Sequence, residues 1–295
     1  MRDFLRVAAF PAILAGAVAA AWGMLQAGAA PFVVIVVVSP IAAALVIGLE
    51  RLIPFRREWN TSKGDFRTDC VHLVLSAWAV ESVPALANAA LVTAAGALAG
   101  AFGRTPWPVE WPVWAQVTLA LVVSELFHYT VHRSLHAFAP LWRLHAIHHS
   151  SERLYWLNAT RVHPLEGLIH IATGATALIL LGVPVDVLTV HAVFLGVARL
   201  FQHANLDVRL GPLNLVFSST EVHRFHHSTD RADTDANYGT ALLVWDWVLG
   251  TRRAVPNASA PRTIGGPRVP AGWLGQVLWS FRRRAKPGVS IPPRA

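Results

Sequence analysis

PFVVIVVVSPIAAALVIGLERLI, residues 31–53, carries no charge before Glu50. At about 1.5 Å of helical rise per residue it is long enough to cross roughly 30 Å of hydrocarbon. Its Val33–Val38 segment is β-branched and would suit a strand in water. In lipid, a lone strand leaves its backbone N–H and C=O groups unpaired, so the run reads as a membrane helix.

The same reading extends in both directions. Upstream, Phe4 to Ala27 forms a second apolar run behind Arg2 and Arg6. A basic start before an apolar stretch also describes a signal peptide. This run is long enough to span, and residues 31–53 follow at once, so a retained helix is expected. Downstream, Pro54 and the basic residues Arg56, Arg57, Lys63 and Arg67 close the second span. A third run covers Val71 to Phe102, with Glu81 and Pro84 suggesting a kink or a half-membrane excursion. The segment Gly103–Pro112, rich in proline and bordered by Trp107, Trp111 and Trp114, reads as an interfacial loop. A fourth run covers Val113 to Val131. The block Leu165–Phe201, broken at Gly182-Val183-Pro184, reads as a helical hairpin that enters the membrane and returns. Trp273, Leu274, Val277, Leu278 and Phe281, ahead of Arg282–Arg284, fit an amphipathic helix on an anionic surface.

Composition agrees with a membrane protein. Hydrophobic residues make up 54% of the 295 residues, charged residues 14%, and mean hydropathy is +0.44, against about 25% charged in soluble domains. The net charge of +8 does not indicate nucleic acid, because lysine and arginine lie between and after the apolar runs. With a cytoplasmic N-terminus, the inner segments are 54–70, 132–164 and 203–295. Of 25 lysines and arginines, only Arg104 then falls in an outer loop, and Arg199 lies within a predicted helix. That bias is the positive-inside pattern. The single cysteine, Cys70, permits no internal disulfide and is given no chemistry. The fold class expected is an all-α integral membrane protein: four spanning helices and a helical hairpin, with a cytoplasmic helical cap.

Two of the inner segments hold histidines in three groups: HRSLH (His132, His136), HAIHH (His145, His148, His149) and HRFHH (His223, His226, His227). Positions i, i+3 and i+4 share a helix face, so each group points its rings one way. One zinc ion takes about four ligands. Eight imidazoles in three places exceed one ion and suit two. A lone i, i+4 pair is weak evidence, but a repeated His-x-x-His-His is not, since buried rings without metal need partners for every nitrogen. Imidazole accepts iron, zinc, copper and nickel, so ligand type leaves the metal open. His-Glu-x-x-His is absent, which argues against a zinc protease.

These boxes, with Leu141-Trp142, Ser150-Ser151-Glu152, Asn158 to Arg161, His163-Pro164 with Glu166, Asn237-Tyr238-Gly239, Trp245-Asp246 and Gly250-Thr251, resemble the fatty acid hydroxylase superfamily, which includes sterol desaturases and alkylglycerol monooxygenase. The resemblance runs from about Glu125 to Thr251. It implies two iron ions, dioxygen as co-substrate, an external electron donor, and hydroxylation or desaturation of a membrane lipid. It implies as ligands His132, His136, His145, His148, His149, His223, His226 and His227, with His203 as a ninth. Arg199 stands where some relatives have a further histidine, which argues against a tenth ligand. His163 either binds metal or orients a ligand, and His128 either lines the site or bonds within its helix. His72, His170 and His191 lack box spacing and read as packing or interface residues. Asp207, Asp230, Asp233 and Asp235 lie near the third box, where they either bond ligand rings or face solvent.

The expected division is membrane helices over 1–112, a catalytic domain over 113–251 and a basic amphipathic tail over 252–295. Neither flavin nor nicotinamide motifs nor a cytochrome domain occur in these residues, so electrons are expected from a separate redox protein or small reductant. The compact form favours a bacterial enzyme, in the inner membrane with its metal site on the cytoplasmic face. The rival is a non-enzymatic metal-binding or metal-transport membrane protein, which would string ligands and carboxylates through the spans rather than gather them at one end.

Overall fold

The protein is described by a computed structural model, which covers residues 1–76, 93–97, 99–101, 105–255 and 260–282. Helices α1 (Arg2–Gln26), α2 (Pro31–Leu52), α3 (Phe66–Val71), α4 (Val113–Ala137), α5 (Ala139–His149) and α6 (Pro164–Leu180) are followed by α7 (Val185–His203), α8 (Thr220–His226), α9 (Arg231–Thr234), α10 (Val244–Val248) and α11 (Trp273–Trp279). Among the described residues the fold is all-helical, with only isolated β-bridges. The third apolar run, and its expected kink, lies mostly outside the described residues.

Proline starts several of these helices for a shared reason. Pro31, Pro140 and Pro164 occupy first-turn positions, where an amide would lack an intrahelical partner anyway. In α2, Val34, Val38, Ala42, Val46 and Leu49 recur every three to four residues and are buried. The opposite face presents Phe32, Val36, Ile41 and Leu45 outward, at 72%, 44%, 57% and 50% exposure. Holding such partly exposed side chains in water rather than an apolar medium would cost on the order of 1 kcal/mol each. A helix that is apolar on both faces has lipid as its outer solvent.

α1 buries Phe10, Leu14, Ala17, Ala21 and Leu25 against α2 and α7. Alanine at two successive turns allows close approach of the backbones. Among the described residues three helices, α1, α2 and α7, are long and apolar enough to cross a membrane. The run from Val113 forms α4 but continues straight through the first histidine box to Ala137.

The hairpin forms as expected: α6 and α7 are joined at Leu181–Pro184. Gly182 takes φ +77°, and a Cβ there would also approach Thr105 at 3.0 Å, so glycine suits this turn on both counts.

Chain crossings bring α1's start, α2's end and α7's end together. The Arg209 amide donates to the Arg6 carbonyl at 2.8 Å, and the Asp207 amide to Ile53 at 2.9 Å. Asn205 donates to the Arg56 carbonyl and to Asn60 Oδ1, at 2.8 and 2.9 Å. This end of the bundle carries the histidine boxes. The C-terminal helix α11 docks here too, more briefly than its sequence pattern suggested. Gln276 turns inward to His72 Nε2 at 2.8 Å, while Leu274 and Leu278 remain exposed.

Candidate metal centre

Four helices deliver the rings. α4 carries His132 and His136 one turn apart. The short Phe138 link reverses the chain so that α5 returns His145, His148 and His149 to the same space. α7 ends on His203, and α8 presents His223, His226 and His227 behind a Ser219 hydroxyl that accepts from the Val222 amide.

The nine rings sort into two groups, each with ligand atoms within 4.8 Å of one another. One comprises His132, His136, His145, His149 and His226; the other His148, His203, His223 and His227. The groups abut: His149 and His227 stack with centroids 4.5 Å apart. All nine rings are buried.

Hydrogen bonds settle which nitrogen of several rings holds the proton. His132 Nδ1 faces the Tyr238 carbonyl at 2.7 Å, His226 Nδ1 that of Ala236 at 2.9 Å, His148 Nδ1 that of Arg161 at 3.3 Å, and His203 Nδ1 that of Arg199 at 3.0 Å. A carbonyl only accepts, so each Nδ1 carries the hydrogen and each Nε2 is left with a lone pair. Yet His132 Nε2 and His226 Nε2 face each other at 3.0 Å, and His148 Nε2 and His203 Nε2 at 3.1 Å. Lone pairs so placed repel unless a cation lies between them. Protonating a ring would also relieve the clash, but burial opposes it: His145, His148, His149, His223, His226 and His227 are all held well below the ordinary histidine value of 6.5. The donor set therefore fits two metal ions bound by neutral imidazole.

The ring orientations depend on residues outside the boxes. Glu166 accepts from His145 Nδ1 at 2.7 Å. Asp246 accepts from the Tyr238 and Gly239 amides at 2.8 Å and from the Thr251 hydroxyl at 2.7 Å, and so fixes the loop whose Tyr238 carbonyl holds His132. Burial pushes the Asp246 carboxyl above its ordinary value, and those bonds favour the charged form. Glu125 on α4 accepts from the backbone amides of Thr240 and Ala241. Asp69 on α3 pairs with Arg161 at 2.7 Å and accepts from the Tyr155 hydroxyl at 2.6 Å, securing the Arg161 carbonyl against His148. Such partners of ligating histidines set tautomer and basicity, and losing one typically costs about 10–100-fold in metal affinity or activity. Glu166→Gln should show a loss of that order in metal retention during dialysis against a chelator.

The remaining sequence-predicted positions separate. His163 caps α6, its Nδ1 accepting from the Leu165 amide at 3.0 Å, and belongs to neither group. Of the four acidic residues near the third box, Asp235 alone approaches a ring, 3.5 Å from His136 Nδ1. Asp207 pairs with Arg6, Asp230 caps α9 and Asp233 pairs with Arg253. His72 packs as expected. His170 and His191 do more than pack: together with His128 they line a cavity of about 620 Å³. His128 lies 3.3 Å from His170, ring nitrogen to ring nitrogen, and His191 2.7 Å from the Ser124 hydroxyl. The cavity begins at His132, His145, His148, His203 and His223. It runs between α6 and α7 to Leu178, Ile179 and Leu188. His191 shares a helical face with Leu188, Leu195, Arg199 and Gln202, and His170 with Glu166 and Gly167, faces that look like ordinary packing surfaces in the sequence.

The family profile described as fatty acid hydroxylase matches residues 117–251. An ornithine lipid hydroxylase, OlsE, of Rhizobium tropici is 35% identical over 245 residues, covering 82% of this chain and 74% of the relative. The chain belongs to the fatty acid hydroxylase family. Alkylglycerol monooxygenases are more distant: 30% identity over 157 residues in Caenorhabditis elegans and 31% over 149 residues in Homo sapiens, about half of this chain in each case. The chain spans about a third of their length. No solved structure matches.

Proposed function

We propose that the protein is a membrane-bound di-iron oxygenase that hydroxylates a lipid with dioxygen and two externally supplied electrons. The observation that carries this is the convergence of buried Nε2 lone pairs in two adjacent groups, beside a cavity with an apolar far end. The nine histidines named above would hold the metal. When bound, iron at such a site activates dioxygen for attack on an unactivated C–H bond, and the family, not the imidazole ligands, is the ground for choosing iron. Hydroxylation inserts one oxygen atom and sends the other to water, which requires two electrons and two protons from outside; desaturation by the same site would instead remove two hydrogens.

The protein's own work is placement. Tyr238, Ala236, Arg161 and Arg199 carbonyls, with Glu166, keep the ligating nitrogens of His132, His226, His148, His203 and His145 unprotonated and aimed inward. The cavity walls from α6 and α7 exclude water and hold one carbon of the substrate next to the histidine groups. The catalytic unit is read as residues 113–251, following the membrane helices. Four spans and a hairpin, with the histidines on the cytoplasmic face of a bacterial inner membrane, are supported by the charge bias and by the gathering of α1's start and α2's and α7's ends at the site. That gathering at one end also disfavours a transporter, whose ligands would line a path through the spans.

The test is a comparison of lipid extracts from cells with and without the gene, grown under isotopically heavy dioxygen. A lipid gaining one heavy oxygen atom is expected, and two lipid pools of identical composition would contradict the reading. Metal retention also has a pH signature. Because burial lowers the ring pKa values below 6.5, the folded chain takes up fewer protons than the unfolded chain as pH falls. Stability and metal binding are therefore full above about 6.5 and are lost progressively below it. Metal content after equilibration at a series of pH values checks this; retention that improved on acidification would contradict it.

A further inference from the structure

Arg199 lies one turn before His203 on α7, so both side chains leave the same helix face. It lines the same cavity as the histidine groups. Other arginines near this end have partners: Arg153 binds Asp65 at 2.7 Å, Arg161 pairs with Asp69 at 2.7 Å, and Arg224 donates to the Leu206 carbonyl at 3.1 Å. The Arg199 guanidinium has neither hydrogen bond nor ion pair among the described residues. Glu125 and Glu166 attract it through their charge, but both already accept hydrogen bonds elsewhere. Glu125 takes the Thr240 and Ala241 amides, and Glu166 takes His145.

An unpaired guanidinium in a low-dielectric cavity is costly unless a ligand supplies the counter-charge. Its planar fork suits an oxyanion. Beyond it the walls change character. Leu195, His191 and Leu188 follow it along α7, and with Leu178 and Ile179 of α6 and the rings of His128 and His170 they form a wall that holds no further cation or carboxylate. The cavity thus has one cationic end, beside the histidine groups, and one apolar end toward the hairpin turn.

We propose that Arg199 recognises the anionic end of an amphiphile, a carboxylate or phosphate, and holds it next to the histidine groups. The hydrocarbon chain then runs between α6 and α7 toward Leu178 and Leu188, and the carbon presented to the metal ligands is one near the headgroup. Arg199 acts as a binding and orienting residue. The proposal rests on the functional reading only in taking this cavity as the substrate's.

Equilibrium binding to the metal-loaded full chain in neutral detergent tests it, with N-palmitoylglycine, its methyl ester and hexadecyl phosphate as probes. The wild type should bind at least one anion about tenfold more tightly than the ester, the scale of a charge-assisted bidentate contact, and the stronger anion identifies the headgroup chemistry. Arg199→Gln should lose that preference while keeping ester affinity and metal content, since its backbone carbonyl still holds His203. Arg199→Lys should retain part of the preference. Equal binding of acid, phosphate and ester by the wild type overturns the proposal, a result that stands even if a variant fails to fold. So does a preference that survives Arg199→Gln. No turnover enters the measurement. Tight anion binding without lipid oxidation would sink the oxygenase reading alone, and lipid oxidation without anion preference would sink this proposal alone.

Discussion

His227→Ala is expected to strip one metal ion from each chain, whereas His136→Ala is expected to retain both under the same conditions. The asymmetry follows from the grouping. His227 belongs to a set of four imidazoles, and its loss leaves three; His136 belongs to a set of five, and its loss leaves four. Four nitrogen donors suffice for a closed site, and three leave it open to water and chelators. Lipid oxidation should fall in His227→Ala by more than the roughly 100-fold upper range for losing a ligand's partner. In His136→Ala it should fall by less. Elemental analysis after gel filtration, paired with product quantification, reads both effects. Loss of metal from His136→Ala with retention in His227→Ala would contradict the assignment of rings to groups.

Asp69→Ala should be the most damaging substitution away from the metal groups. It removes the carboxylate that faces Arg161 at 2.7 Å and the Tyr155 hydroxyl at 2.6 Å, with both members of the ion pair buried. The uncompensated Arg161 charge should cost about 3–5 kcal/mol. Because the Arg161 carbonyl orients His148, metal loading should fall as well. Replacing the pair together, Asp69→Leu with Arg161→Met, should recover much of the stability, since a buried pair often gains little over apolar residues of similar volume. Thermal unfolding in detergent, with and without added metal, separates the two effects. A single substitution costing less than about 1 kcal/mol would show that the pair does not brace the site.

The first two apolar helices and the boxes are legible in the sequence because each is written in side chains. Residues 31–53 can only be satisfied in lipid as a helix, and His-x-x-His-His repeated twice has no simpler use. What holds the rings in place is less visible. Four of the five fixed Nδ1 atoms donate to main-chain carbonyls, and any residue could supply those at Tyr238, Ala236, Arg161 or Arg199. The motif residues nearby acquire their meaning only in three dimensions. Asp246 matters through the two amides it clamps, and Glu125 and Asp69 look like ordinary carboxylates at the margins of apolar runs. His170 and His191 read as packing residues because a helix face that lines a cavity has the same sequence period as one that packs. Arg199 reads as a departure from a ligand pattern, whereas in the fold it is the arginine that lines the cavity, with neither hydrogen bond nor ion pair among the described residues.

The central claim is that nine buried histidines hold two iron ions. Its most direct test is the metal content of the full chain, purified without chelators in the absence of oxygen. The account predicts two iron atoms per chain, both released as pH falls below about 6.5. Protein that is folded and free of transition metal, or that holds a single zinc ion, would contradict it.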